Sequence, residues 1–152
     1  MKRVLFICHG NICRSPMAEF ILKHLVEKNG LSADYEIDSA AVSTEEIGND
    51  IYPPAKRKLR EKDIPFEHHN ARQITKADYA HFDHIICMDK SNLRYLRYLI
   101  GDDPQEKVSL LMEWVQSSRD VADPWYTGDF ETTYRDLIAG CQAILDKTLV
   151  AH

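Results

Sequence analysis

The chain lacks any long apolar run, internal repeat or low-complexity tract. No apolar stretch approaches the roughly 20 residues that a membrane span needs, and none resembles the h-region of a signal peptide. The four cysteines lack the spacing of a secreted disulfide framework, which favours a reducing compartment. We therefore expect a cytoplasmic protein without membrane contact. With 152 residues and no linker-like segment, the chain should fold as one domain over residues 1–152.

An excess of positive charge is also missing. The sequence has 19 Lys and Arg against 24 Asp and Glu, for a formal net charge of -5. This balance argues against nucleic acid as a partner. The seven histidines show no metal-ligand spacing, so we expect no metal and no other cofactor. An anionic ligand would have to be held by a local positive field.

Short buried strands alternate with helical patterns along the chain. The apolar runs predict strands at 2–7, 35–40, 84–88 and 108–112. Helices should follow Ser15 and Ser91 as N-caps, a basic helix should span 54–61, and an apolar stripe from Tyr134 to Leu145 predicts a C-terminal helix. This order predicts an α/β domain with a four-stranded parallel sheet and helices on both faces.

The loop between the first strand and the first helix, "CHGNICRSP", combines groups that suit an anion. Cys8 lies at the carboxyl end of the strand, where such sheets bind ligands. Gly10 permits a positive φ and Asn11 tolerates one, so the loop's N–H groups can form an anion nest. Arg14 supplies a planar fork for two phosphate oxygens. A nest of this kind favours the thiolate of Cys8, a nucleophile suited to phosphoryl transfer.

The loop alone leaves a plain alternative open, which is a buried structural cysteine in an ordinary strand–helix turn. The wider sequence resembles one family. "CHGNICRSP" resembles the phosphate loop of the low-molecular-weight protein tyrosine phosphatases. Further segments have the family's order and approximate spacing, namely "DSAAVS" at 38–43, "HNARQIT" at 69–75, "FDHIICMDKSNL" at 82–93, "DPWY" at 123–126 and "DFETTY" at 129–134.

The resemblance implies roles for individual residues. Cys8 would be the nucleophile that becomes phosphocysteine, and Arg14 would clamp the phosphate. Ser15 would hydrogen-bond the thiolate while also capping the helix. Asp123 would be the general acid and base; Asp-Pro by itself predicts only a turn, so this role depends on the resemblance. The remaining phosphate-loop residues would be His9, Gly10, Ile12 and Cys13, with loop support from Asn11, Ser39 and His69.

The family also implies a substrate rim and partners. Trp125 and Tyr126 resemble the aromatic wall against which the ring of phosphotyrosine packs. Glu45 stands where some members carry an aromatic residue, and with Glu46 it would favour basic peptides if it lines the rim. The implied partners are a phosphotyrosine-containing protein or peptide and inorganic phosphate as product. Family members with a second loop cysteine, here Cys13, use it to trap the oxidised nucleophile as a disulfide.

Three other functions remain alternatives. Arsenate reductase chemistry needs a relay of further cysteines near the loop, and Cys87 lies on a predicted buried strand without a close partner. Protein-arginine phosphatases of this fold carry Thr where this chain has Ile12, and the apolar Ile12 suits an aromatic ring better than a guanidinium. A non-catalytic phosphate-binding module would not need Cys8, Arg14 and Asp123 together.

Overall fold

The computed structural model describes residues 1–150, so Ala151 and His152 of the predicted domain lie outside the described part. One sheet contains the strands Lys2–Cys8 (β1), Tyr35–Ala41 (β2), His84–Cys87 (β3) and Val108–Leu110 (β4). The strand order is β2-β1-β3-β4 and every neighbouring pair is parallel. The predicted four-stranded parallel sheet is confirmed.

Helices cover both faces of the sheet, as predicted. The α-helices of the described residues are Arg14–Lys28 (α1), Pro53–Glu61 (α2), Lys76–His81 (α3), Lys90–Ile100 (α4), Pro124–Thr127 (α5) and Phe130–Val150 (α6). Helices α1, α2 and α6 pack on one face, and α3 and α4 pack on the other. None of these helices carries an apolar stretch long enough to cross a bilayer.

Strand β1 is the centre of the fold and fixes the position of the loop that follows it. Val4 and Phe6 point into the core beneath α1 and α6, while Leu5 and Ile7 point into the core beneath α4. These four side chains are fully buried, and each stabilises the fold by roughly 1.5–3 kcal/mol. The strand ends at Cys8, so the sulfur is held at the carboxyl edge of the sheet between β2 and β3.

Two predicted helix caps are wrong. Helix α1 begins at Arg14 with Cys13 at the N-cap position, and no side chain caps it. The Ser15 hydroxyl bonds to the Cys8 sulfur instead of a helix N–H. Helix α4 is capped by Asp89 and not by Ser91, because the Asp89 carboxylate accepts the N–H of Asn92 at 2.8 Å in a capping box.

The fourth strand is shorter than the predicted 108–112. It ends at Leu110, and the chain turns into a 3₁₀ helix at Leu111–Val115. Leu111 and Met112 point into the core from this turn, so their apolar character reflects burial in a helix and not in a strand.

Candidate active site

The loop of residues 8–15, which we call the phosphate loop after the family segment that it resembles, turns most of its carbonyl groups outward. Five of these oxygens accept hydrogen bonds of 2.8–3.1 Å from the surrounding structure, namely those of Cys8, His9, Asn11, Ile12 and Cys13. In a trans peptide the N–H points away from the neighbouring C=O, so outward carbonyls turn the following N–H groups toward the interior of the loop. The loop therefore forms the anion nest that its sequence predicts.

The sulfur of Cys8 lies at the focus of this nest. Its Sγ accepts the backbone N–H of Asn11 at 3.3 Å and of Ser15 at 3.4 Å. The Ser15 hydroxyl oxygen lies 2.9 Å from the same sulfur. Cys8 is only 3% exposed, which leaves access to the sulfur through the pocket alone. Three hydrogen-bond donors thus converge on one sulfur, the atom in the loop that can act as a nucleophile.

Asn11 holds the loop in shape from its centre. It adopts φ 60°, in the left-handed region, whereas Gly10 has no positive φ, so the predicted role of Gly10 is wrong. Gly10 instead provides space, since a Cβ there would lie 3.3 Å from Glu46 Cγ. Asn11 Nδ2 donates to Ser15 Oγ at 2.8 Å and to Ser39 Oγ at 2.9 Å.

These bonds fix the direction of each hydroxyl. Ser39 Oγ donates to the buried carboxylate of Glu19 at 2.6 Å, so it accepts from Asn11. Ser15 Oγ also accepts from Asn11, which leaves its own hydrogen for the sulfur of Cys8. Glu19 thus orients, through Ser39 and Asn11, the hydroxyl that supports the thiolate.

His69 supports the loop through the carbonyl group of Asn11. Its Nε2 donates to the carbonyl oxygen of Asn11 at 2.8 Å. The His69 backbone N–H is in turn held by Asp50 at 3.0 Å. Burial alone would raise the pKa of Asp50, but bonds from Lys56, Ile51 and His69 outweigh it and lower the pKa to about 2.

Arg14 is buried beside the pocket, with 2% of the residue exposed. Its Nη1 donates to Asp89 Oδ2 at 2.7 Å and to the Val121 carbonyl at 2.9 Å, and its Nη2 donates to Asp123 Oδ2 at 3.3 Å. These contacts use both Nη1 hydrogens and one Nη2 hydrogen. The Nε–H and the second Nη2–H remain for a ligand, in the planar arrangement that grips two oxygens of a phosphate.

The charge of Arg14 is secured by its neighbours. Burial disfavours the guanidinium cation, but the negative charges of Cys8, Asp123 and Asp89 outweigh burial and raise the pKa of Arg14. A permanent cation therefore lies beside the nest in a chain of net charge -5. This is the local positive field that an anionic ligand requires.

Asp123 lies above the loop at the start of α5. One carboxylate oxygen accepts the N–H of Trp125 at 3.0 Å as an N-cap, and the other faces Arg14. The side chain is 24% exposed, so the carboxylate reaches the pocket without being fully desolvated. Asp123 thus has both roles that its sequence allowed: it begins the Asp-Pro turn and it places a carboxylate at the pocket.

A cavity of about 120 Å³ opens over the sulfur. Trp125 forms one wall and is 51% exposed, with its ring 4.7 Å from the ring of Tyr52. Tyr126 lies farther out on the rim at 84% exposure. Glu45 and Glu46 also line the cavity. His9 Nε2 lies 3.0 Å from Glu45 Oε2, which ties this rim to the phosphate loop.

The other cysteines differ from Cys8 in their surroundings. Cys13 borders the pocket, and burial together with the negative charges of Cys8 and Asp123 raises the pKa of its thiol. Cys87 and Cys141 are fully buried, and burial raises the pKa of both thiols. All four cysteines are free. Among residues 1–150 no group of three or more His, Cys, Asp or Glu side chains converges to hold a metal ion.

Sequence reasoning missed two carboxylates of the site. Asp89 anchors Arg14 from the end of β3, and Glu19 anchors Ser39 from within α1. Asp89 could have been found, because it directly follows the predicted buried strand at 84–88 and parallel strands end at the same edge of a sheet. Glu19 carried no comparable indication, since its burial depends on packing between α1 and β2.

The arrangement suits displacement at a phosphate. The sulfur of Cys8 can attack phosphorus, the nest and Arg14 can hold the oxygens, and Asp123 can exchange a proton with the group opposite the sulfur. The pocket is narrow and has an aromatic wall, which suits a flat ring between the phosphate and the protein surface.

Known proteins are similar to this chain in both sequence and fold. The chain matches the family model for "Low molecular weight phosphotyrosine protein phosphatase" over residues 3–151. The Homo sapiens protein of that name is 44% identical over 154 residues, covering 96% of this chain and 95% of the relative. The crystal structure of YfkJ from Bacillus subtilis has a TM-score of 0.94 and 38% identity, covering 99% and 96% of the two chains. A drosophila arginine phosphatase has a TM-score of 0.85 and 33% identity, covering 97% and 98%.

Proposed function

The chain belongs to the low molecular weight phosphotyrosine protein phosphatase family, and we propose that it hydrolyses phosphotyrosine through a phosphocysteine intermediate on Cys8. It is a protein tyrosine phosphatase, a hydrolase of phosphate monoesters. The observation that carries the proposed residue roles is the convergence of three hydrogen-bond donors on Cys8 Sγ, with Arg14 beside them and Asp123 above.

The first half-reaction transfers the phosphoryl group to sulfur. The Cys8 thiolate attacks phosphorus, the bond from phosphorus to the tyrosine oxygen breaks, and a protonated Asp123 gives its proton to the departing phenolate. The loop N–H groups and the two remaining hydrogens of Arg14 hold the three equatorial oxygens. These donors are fixed before substrate arrives, so little reorganisation is needed as charge redistributes.

The second half-reaction releases phosphate. Asp123, now a carboxylate, removes a proton from a water molecule, and the oxygen of that water attacks phosphorus on the side opposite the sulfur. The phosphorus–sulfur bond breaks and Cys8 leaves as a thiolate, to which the Ser15 hydroxyl donates. One carboxylate thus serves as acid and then as base, and the enzyme returns to its starting state with inorganic phosphate as product.

The pocket supports a phosphotyrosine-containing protein or peptide as substrate. The phosphate must reach a sulfur that is 3% exposed, and an aromatic ring spans that depth while a serine side chain is too short. The ring would pack against Trp125. Glu45 and Glu46 on the rim of the pocket would disfavour acidic residues near them and favour basic ones. A cytoplasmic location would keep the Cys8 thiol reduced.

A second candidate is protein-arginine phosphatase activity. The similarity to a drosophila arginine phosphatase favours it, since the two chains share the fold over nearly their whole length. Ile12 weighs against it, because this apolar side chain lines the pocket and offers no acceptor to a guanidinium group.

Turnover of matched phosphopeptides tests the proposal. The wild-type enzyme should hydrolyse a phosphotyrosine peptide much faster than the phosphoserine and phosphoarginine versions. Cys8→Ser should remove this activity while inorganic phosphate still binds, because the nest and Arg14 survive. Faster hydrolysis of phosphoarginine, or near wild-type activity of Cys8→Ser, would overturn the proposal. Arsenate reduction by the wild-type enzyme would point to the reductase instead.

A further inference from the structure

A groove of about 570 Å³ runs beside the catalytic pocket on the far side of Trp125. It lies between the start of α2 and the segment around α5, and Trp125 lines both the groove and the pocket. A substrate with its phosphotyrosine in the pocket would therefore continue past this indole. The groove is several times larger than the pocket and can hold side chains of a polypeptide.

The floor of the groove is aromatic and fixed to the active site. Tyr52 packs against Trp125 with ring centroids 4.7 Å apart and against Phe130 with centroids 6.3 Å apart. The backbone N–H of Tyr52 donates to the carbonyl of Ile12 in the phosphate loop at 2.9 Å. This hydrogen bond links the groove to the phosphate loop. The half-exposed ring of Trp125 and the partly buried rings of Tyr52 and Phe130 offer apolar surface to a partner.

The edge of the groove carries one unneutralised cation. Helix α2 contains four basic residues: Lys56 pairs with Asp50, Lys58 pairs with Glu61 and Glu131, and Arg60 stacks over the ring of Phe66. Arg57 is exposed on the groove, and no carboxylate among residues 1–150 forms an ion pair with it. The basic pattern at 54–61 therefore leaves its free charge beside the substrate pocket.

We propose that this groove binds the polypeptide segment flanking the phosphotyrosine, and that Arg57 selects a segment with an acidic residue next to an apolar one. The inference rests on the proposed function of the neighbouring pocket. Glu45 and Glu46 line the catalytic pocket but not this groove, and they repel acidic residues on their part of the rim. The groove edge and this part of the rim have opposite charge, so the site favours substrates that are acidic on one side of the phosphotyrosine and not on the other.

Synthetic phosphotyrosine peptides with Glu, Gln or Lys at each flanking position in turn test this inference. Arg57→Glu should lower kcat/KM by about tenfold for the peptide that carries Glu at the position facing the groove, and the loss should appear in KM. The same variant should raise kcat/KM for the peptide with Lys at that position. The magnitude follows because an exposed charge pair changes binding by up to about fivefold, and the variant both removes an attraction and adds a repulsion. The effect should be confined to one side of the phosphotyrosine. Turnover of p-nitrophenyl phosphate, which cannot reach the groove, should stay within about twofold of wild type.

Arg60→Glu is the matched control, because it makes the same charge change on the same helix away from the groove. Because Arg60 stacks over Phe66 and does not line the groove, at ~0.15 M salt this change should shift the peptide preference by less than about twofold. An equal effect of Arg60→Glu, or no peptide position that responds to Arg57→Glu, overturns the inference while leaving the phosphatase function intact. If the wild-type enzyme did not hydrolyse p-nitrophenyl phosphate at all, the proposed function itself would be overturned.

Discussion

Ser15→Ala measures how much one hydroxyl group accelerates the departure of the Cys8 sulfur from phosphorus. Ser15 Oγ lies 2.9 Å from Cys8 Sγ and accepts from Asn11 Nδ2 at 2.8 Å, so its hydrogen is directed to the sulfur. The substitution removes that donor. The backbone N–H groups of Asn11 and Ser15 continue to donate to the sulfur, and Asn11 keeps its bond to Ser39.

The expected loss falls on the second half-reaction. A hydrogen bond to a charged acceptor contributes about 1.5–3 kcal/mol, and about 1.4 kcal/mol is a factor of ten in rate. Hydrolysis of phosphocysteine, in which sulfur leaves as a thiolate, should therefore slow by about 10- to 100-fold. Formation of phosphocysteine should change by less than about threefold, because a less stabilised thiolate is harder to form but is a stronger nucleophile.

Rapid mixing with p-nitrophenyl phosphate separates the two steps. In Ser15→Ala, a burst of p-nitrophenolate equal to the enzyme concentration should precede a slow steady state. Ser32→Ala changes an exposed serine just before β2, at the edge of the sheet opposite Cys8, and should behave as wild type. A slow steady state without a burst, or an unchanged steady-state rate, would refute the role of Ser15 in the departure of sulfur.

Three further predictions follow from the site. Asp123→Asn keeps the α5 cap but cannot protonate the leaving group, so kcat/KM, which reports formation of the phosphoenzyme, should fall by about 100-fold or more for phenyl phosphate and far less for p-nitrophenyl phosphate. Equal losses of kcat/KM would contradict acid catalysis. Peroxide should inactivate the enzyme by closing a Cys8–Cys13 disulfide that a thiol reductant reverses, with poor recovery in Cys13→Ser; a dominant bridge to another cysteine in peptide mapping would contradict this. Asp50 has its pKa lowered to about 2 from an ordinary 3.8, so its stabilising contribution is complete above about pH 4 and is lost as the pH falls through 2. Asp50→Asn should therefore lower Tm by about 2–4 °C at neutral pH, with a deficit that shrinks in acid, and a deficit constant with pH in thermal melts would disprove it.

Parts of this structure were predictable because single local features decide them. The continuous apolar run of β1 leaves no polar face, so a central buried strand is the only arrangement that satisfies it. The phosphate loop was likewise predictable, because Cys8 and Arg14 flank a strand end and a helix start. The sequence predicted that a residue with positive φ would be Gly10 or Asn11 but could not decide between them. Asn11 adopts the positive φ, which brings its side chain within reach of Ser15 and Ser39.

Other parts depend on contacts that no local pattern reveals. Ser15 has the residue type and position of an N-cap, but its hydroxyl donates to the Cys8 sulfur and does not cap the helix. Asp89 is 75 residues from Arg14 in the chain and meets it because β3 lies beside β1. Which cations of the basic helix α2 are paired depends on Asp50 and Glu131, which lie outside the helix, as well as on Glu61 at its end. Only the folded chain leaves Arg57 without a carboxylate while Arg60 stacks on Phe66.

Identification of the phosphorylated residue during turnover tests the central claim most directly. Asp123→Asn, mixed with p-nitrophenyl phosphate and quenched with denaturant, should accumulate a covalent phosphoenzyme because the variant cannot activate water. Mass spectrometry of its peptides should then locate one phosphoryl group on Cys8, and Cys8→Ser should give neither phosphoenzyme nor turnover. A phosphoryl group on any other residue, or turnover that persists in Cys8→Ser, would contradict the phosphocysteine mechanism.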